Sequence, residues 1–182
     1  YLLARALESI KAQEKDLKVV NTSDADMAAA FKTPEVTAVV TWKPIVSTIL
    51  ESPDAHEVFD SSKIPGEIID LMVVNTEVVK DNPKFAKALA GIWYETISKM
   101  KADKEAKEAM AKASGTDVKG FDKMLATTQM YYEPKDAVAF TTSGELKTTT
   151  ERVSKFLFEK SLLGTDAKTE GAVGVEFPDK TV

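Results

Sequence analysis

Trp42, Thr22, Asp24, Ser61, Glu67 and Asp70 are the aromatic, hydroxyl and carboxylate side chains that fall at the ends or breaks of apolar runs. A tryptophan can stack on a planar amide or face a cation through its π system. Hydroxyls and carboxylates accept hydrogen bonds from the N–H groups of a small polar ligand. The exposed N–H groups of a helix start near Thr22, Ser23 and Asp24 can hold an anion, whereas Asp24 itself opposes one and suits a guanidinium or amide donor. Plain helix capping is the simpler role for these three residues. Ser61, Ser62 and Glu67 share a Ser/Pro/Gly loop, where loop closure is the structural alternative. Asp70 interrupts an apolar run, and a lone buried carboxylate is costly, so it is expected to be paired or beside a cleft. Trp42 packed in a core between two lobes is the alternative to Trp42 as a ligand contact. Lys43 beside it is expected to point into solvent.

No catalytic constellation accompanies these residues. The chain has no cysteine and one histidine, His56, in a turn after Asp54. Thiolate chemistry, disulfides and thiolate metal sites are therefore excluded. No EF-hand spacing is present, and the sequence calls for no metal or cofactor. The hydroxyl clusters near 141–150 have no histidine base close in sequence, so they read as helix entry rather than as nucleophiles.

At 182 residues, 43% hydrophobic and 29% charged, the composition is that of a globular protein able to bury a core. The net charge of −5 disfavours nucleic acid. The lysines at 99–112 alternate with Asp103, Glu105 and Glu108, as on a solvated helix face. No apolar run has the length of a membrane span. No signal peptide is visible, and the opening amphipathic helix YLLARALESI lacks a preceding cap, which points to a longer polypeptide.

Helical spacing predicts a helix over 2–12. LKVVNT (17–22) reads as a short strand, DADMAAAF as a helix and VTAVVTW (36–42) as a strand ending in Trp42. Pro44 opens the next helix, through Leu50. IIDLMVVNT (68–76) reads as a central parallel strand because it is apolar on both faces. This order predicts a parallel sheet covered by helices. Beyond residues 75–82 helices dominate: one over 83–101, a charged one stopped by Gly115, one capped by Thr116 or Asp117, and a last long one ended by Gly164. The stretch QMYYEPKDAVAFTTSGE between the last two is expected to be a connection with some extended character. The tail 165–182 reads as loop.

The strings KVVNTSDADMAAAF, AVVTWKPIVSTILES, FDSSKIPGEIIDLMVVNTEVVKDNPKFAKALAGIWYE and TTSGELKTTTERVSKFLFEKSLLG resemble substrate-binding proteins of ABC importers. The similarity is to the nitrate/sulfonate/taurine type, related to the thiamine-precursor binders. SSKIPGEIIDLMVVN is similar to the subgroup associated with urea carboxylase. The resemblance implies an α/β, periplasmic-binding-protein-like (type II) lobe with a parallel-rich sheet flanked by helices. It places this second lobe in 1–76 and a crossover with C-terminal helices in 77–182, with the first lobe absent. It implies no enzyme activity but capture of a small polar, urea-like or guanidino ligand by hinge closure, with an ABC permease as partner. It also implies a periplasmic or extracytoplasmic location. The W-x-P position, Trp42, carries the ligand role.

Other readings share that framework. They are a sulfonate-, taurine- or pyrimidine-binding protein, a thiamine-pyrimidine-synthase-like enzyme, the sensing half of a transcription regulator, and an oligomerisation module whose helical stripe dimerises. A single histidine and no cysteine disfavour the enzyme.

Overall fold

A computed structural model describes residues 1–164 together with Asp166 and Ala167. Every regular element among the described residues is helical: α1 (Leu2–Ser9), α2 (Asp24–Ala30), α3 (Ile45–Ile49), α4 (Thr76–Asp81), α5 (Phe85–Ala102), α6 (Lys104–Ala113), α7 (Val118–Leu125), α8 (Pro134–Thr142) and α9 (Glu145–Glu159). Short 3-10 turns occupy Glu14–Asp16 and Ser61–Lys63.

The expected α/β lobe is not formed. Leu17–Thr22, Val36–Trp42 and Ile68–Asn75 are non-helical, and no ladder joins them to one another or to anything else among the described residues. A strand holds its conformation through lateral hydrogen bonds and a face that packs. These segments have neither. Val73 is 84% exposed, and Val19, Val20, Val40, Leu71 and Met72 are exposed as well. β-branched residues favour extended backbone, but propensity alone does not make a sheet. The apolar pattern in 68–76 therefore marks no buried central strand, and Asp70 is exposed rather than buried.

The chain forms two compact units. The first comprises Tyr1–Pro65 and Lys107–Gln129. Within it α1 contacts the Glu14–Asp16 turn, and α2 packs on α3. Its buried apolar residues are Leu7, Ile49, Ile64, Ala111 and Phe121. Gly115, at φ +72°, takes the left-handed conformation that ends α6, and the Thr116 N–H donates back to the Ala111 carbonyl at 3.0 Å. Asp117 then caps α7, its Oδ1 accepting from the Gly120 N–H at 2.7 Å. Lys107 Nζ lies 2.9 Å from Asp122 Oδ1, which ties α6 to α7.

The second unit comprises Gly66–Ala106 and, among the described residues, the chain from Met130 onward. Helix α5 buries Ile97 and Met100, and α9 buries Leu146 and Ser154. Asn75 caps α4, accepting from the Glu77 N–H at 2.9 Å. Helix α8 replaces the connection expected for 129–145. Pro134 at its first turn needs no N–H partner and presets φ, and Thr141 and Thr142 fold their hydroxyls back onto helix carbonyls. Gly144, at φ +82°, makes the turn into α9, which packs on α8. Helix α9 ends at Glu159, before the Gly164 stop expected from the sequence. The predicted loop 165–182 lies outside the described residues apart from Asp166 and Ala167.

Candidate functional site

Four of the six residues named from sequence lie in the first unit. Trp42 ends an apolar segment and immediately precedes the turn into α3. Its carbonyl accepts from the Val46 N–H at 3.1 Å, so its backbone is tied to that helix. Its side chain is 59% exposed, so it is not buried in the core of this unit. An aromatic surface held at a helix entry, with its ring in solvent, can stack on a planar solute or face a cation.

Thr22 is half-buried, and its hydroxyl donates to the Val20 carbonyl at 3.4 Å. Asp24 is exposed in the first turn of α2, where the helix dipole favours its negative charge. Ser23 occupies the N-cap position, but its hydroxyl donates to Asp26 Oδ2 at 2.6 Å rather than capping a backbone N–H. Ser61 is exposed and opens the 3-10 turn. The packing of α2 on α3 puts the Asp24 and Trp42 helix entries on neighbouring elements. Among the described residues no hydrogen bond joins Trp42, Thr22, Asp24 and Ser61 to each other.

Glu67 and Asp70 belong to the second unit. Glu67 is held by Arg152 of α9, with Nη1 2.6 Å from Oε1. That carboxylate is already neutralised by a guanidinium. Asp70 is exposed on the extended stretch before α4. His56 is exposed, and no cluster of metal-ligating side chains occurs among the described residues. An open depression at the entry of α5 is lined by Asn82, Pro83, Lys84, Phe85 and Ala88, and none of the six residues named from sequence contributes to it.

Sequence reasoning missed two arrangements. Lys43 does not point into solvent. Its ammonium is 2.7 Å from Thr127 Oγ1 and 3.4 Å from the Lys123 carbonyl, at the C-terminal end of α7. No local signal marks this contact, because its partners lie 80 and 84 residues away.

The second arrangement is a carboxyl pair, Glu57 and Asp60. The Ser62 N–H and hydroxyl both donate to Asp60 Oδ1. These bonds hold Asp60 below the usual carboxylate range, with help from Glu57 and from the charge of Lys63. The hydrogen bond to Asp60 raises Glu57, and partial burial and the Asp60 charge add to the rise, with Lys43 opposing it. The two carboxyls are therefore shifted in opposite directions, Glu57 up and Asp60 down. The Asp-x-Ser spacing of Asp60 and Ser62 was the legible half of this arrangement, since Asp side chains commonly bond the backbone two residues on. Beside Trp42, Thr41 Oγ1 is buried with no hydrogen-bond partner among the described residues.

Comparison with known protein families gives a match to the NMT1-like family over residues 1–115. No curated protein and no solved structure matches the chain. The match covers the KVVNTSDADMAAAF, W-K-P and SSKIPGEIIDLMVVN strings, and it supports the likeness to the nitrate/sulfonate/taurine binders. No helix among the described residues is long and apolar enough to cross a membrane.

Proposed function

The chain belongs to the NMT1-like family, and from that premise we propose that it captures a small polar solute for an ABC importer. The observation that carries the proposal is the exposed Trp42 indole at the entry of α3, within the family-matched residues. Thr22, Asp24 and Ser61, in the same unit as Trp42, are the polar groups proposed to serve that ligand.

Recognition without turnover needs only that ligand bind a closed conformation better than an open one. Hinge closure around the solute follows from that difference, and delivery to a membrane permease outside the cytoplasm completes the cycle. The proposed ligand is nitrogenous, urea-like or guanidino. Planar amide or guanidinium faces suit an indole, and the exposed Asp24 carboxylate accepts from N–H donors while repelling an anion.

A thermal-shift screen tests the proposal with urea, guanidinium, taurine, an alkylsulfonate, nitrate and a pyrimidine, each well below denaturing concentration. A ligand at 100 times its Kd stabilises by about 2.7 kcal/mol. Urea or guanidinium is expected to raise Tm, and Trp42→Ala is expected to weaken that ligand about tenfold, the equivalent of ~1.4 kcal/mol of lost stacking. A response to sulfonates alone overturns the nitrogenous assignment. No response to any compound overturns solute capture.

A further inference from the structure

The Trp42 indole makes no hydrogen bond or ring contact among the described residues. Beyond the packing of its covered part, its orientation depends on the backbone and side chains next to it in sequence. On one side its own carbonyl is bonded to Val46 of α3. On the other, the next side chain, Lys43, reaches the end of α7, to Thr127 Oγ1 at 2.7 Å and the Lys123 carbonyl at 3.4 Å.

That landing point is well built. A helix C-terminus carries partial negative charge and favours a cation. Thr127 is itself fixed, its hydroxyl bonded to the Met124 carbonyl at 3.0 Å. Helix α7 is capped by Asp117, anchored by buried Phe121 and braced by the Lys107–Asp122 pair. Charge from the Glu57 side also falls on Lys43.

We propose that Lys43 is the positioning residue for Trp42, tethering the Trp42–Lys43 corner to α7 so that the indole is held in one orientation before ligand arrives. This assignment deepens the solute-capture reading and rests on it. Ordering a lysine side chain costs conformational entropy comparable to what a surface hydrogen bond returns. The tether therefore contributes orientation rather than stability, and the two can be measured separately.

The test uses the full chain with Trp93→Phe, which leaves Trp42 as the only indole. Fluorescence anisotropy of Trp42 is read with no ligand added. Lys43→Met is expected to lower it through fast local motion of the ring, Thr127→Val to lower it in the same sense, and Lys43→Arg to recover it, with helical circular dichroism unchanged. Should Lys43→Met lose helical dichroism, Thr127→Val decides the question alone. Unchanged anisotropy in the folded variants overturns the tether, as does a drop in Lys43→Met that Thr127→Val does not share. The capture reading fails differently, by the absence of any thermal shift in the solute screen, so the two failures are distinguishable.

Discussion

Arg152 and Glu67 form an asymmetric ion pair: Nη1 stands 2.6 Å from Oε1, the Glu67 side chain is 9% exposed, and that of Arg152 is 50% exposed. The carboxylate has been taken out of water, and the guanidinium has not. Removing the exposed partner takes one compensating charge away from the nearly buried one. Arg152→Met is expected to destabilise the protein by about 1–2 kcal/mol, the range for a charge-assisted bond discounted for solvent screening. Adding Glu67→Gln should recover much of that loss. Urea denaturation of the single and double variants measures both, and equal midpoints for parent and Arg152→Met would remove the pair as a stabilising contact.

The Glu57–Asp60 pair makes stability depend on pH in two opposite senses. Asp60 is lowered from its ordinary 3.8, chiefly by the Ser62 hydrogen bonds, so its contribution is present above 3.8 and is lost as pH falls through its folded value. Glu57 is raised from its ordinary 4.5, chiefly by its bond to Asp60, so its contribution is present below 4.5 and is lost as pH rises through its folded value. Both act fully together only between 3.8 and 4.5. Exposure keeps the effect small. A Tm–pH profile of Glu57→Gln is expected to lose the decline on the higher-pH side while keeping the acid limb. Superimposable profiles for parent and variant would show that Glu57 contributes nothing to the pH dependence.

Two helical glycines are expected to respond oppositely to alanine. At Gly91 in α5 an added Cβ meets nothing within 4 Å, so Gly91→Ala is expected to stabilise by up to about 1 kcal/mol through helix propensity. At Gly120 in α7 the same atom overlaps Thr116 Oγ1 and comes within 3.3 Å of Asp117 Oδ1, the cap of that helix. Disturbing a cap costs about 1 kcal/mol, which offsets the propensity gain. Gly120→Ala should therefore leave stability unchanged or lower it. A rise in Tm equal to that of Gly91→Ala would show that Thr116 turns aside without cost.

Most of the helices were legible because their signals are local, but α4 was not, since Thr76 was read as the end of a strand. Pro44, Gly115 and Asp117 each stand within a residue or two of the boundary they mark, and the spacing of Phe85, Leu89, Trp93, Ile97 and Met100 foretold α5. Glu133-Pro134 concealed α8, because a proline read as a break instead opens a helix. Strands are decided by partners elsewhere in the chain, and Val19, Val40 and Val73 carry the propensity without the partner. The W-K-P string left Trp42 open between a ligand-facing and an interlobe-packed position, and its ring is exposed. The Lys43 tether was not foreseeable, since nothing near residue 43 announces a hydroxyl at residue 127.

The unladdered apolar ribbons carry a liability distinct from any binding role. Ile68, Leu71, Met72 and Val73 stand in water on extended backbone whose amides are left to solvent. Short stretches of high β-propensity with little charge are the raw material of steric zippers. Asp70 is the lone charge in that stretch, the kind of residue that holds such segments apart in natural sequences.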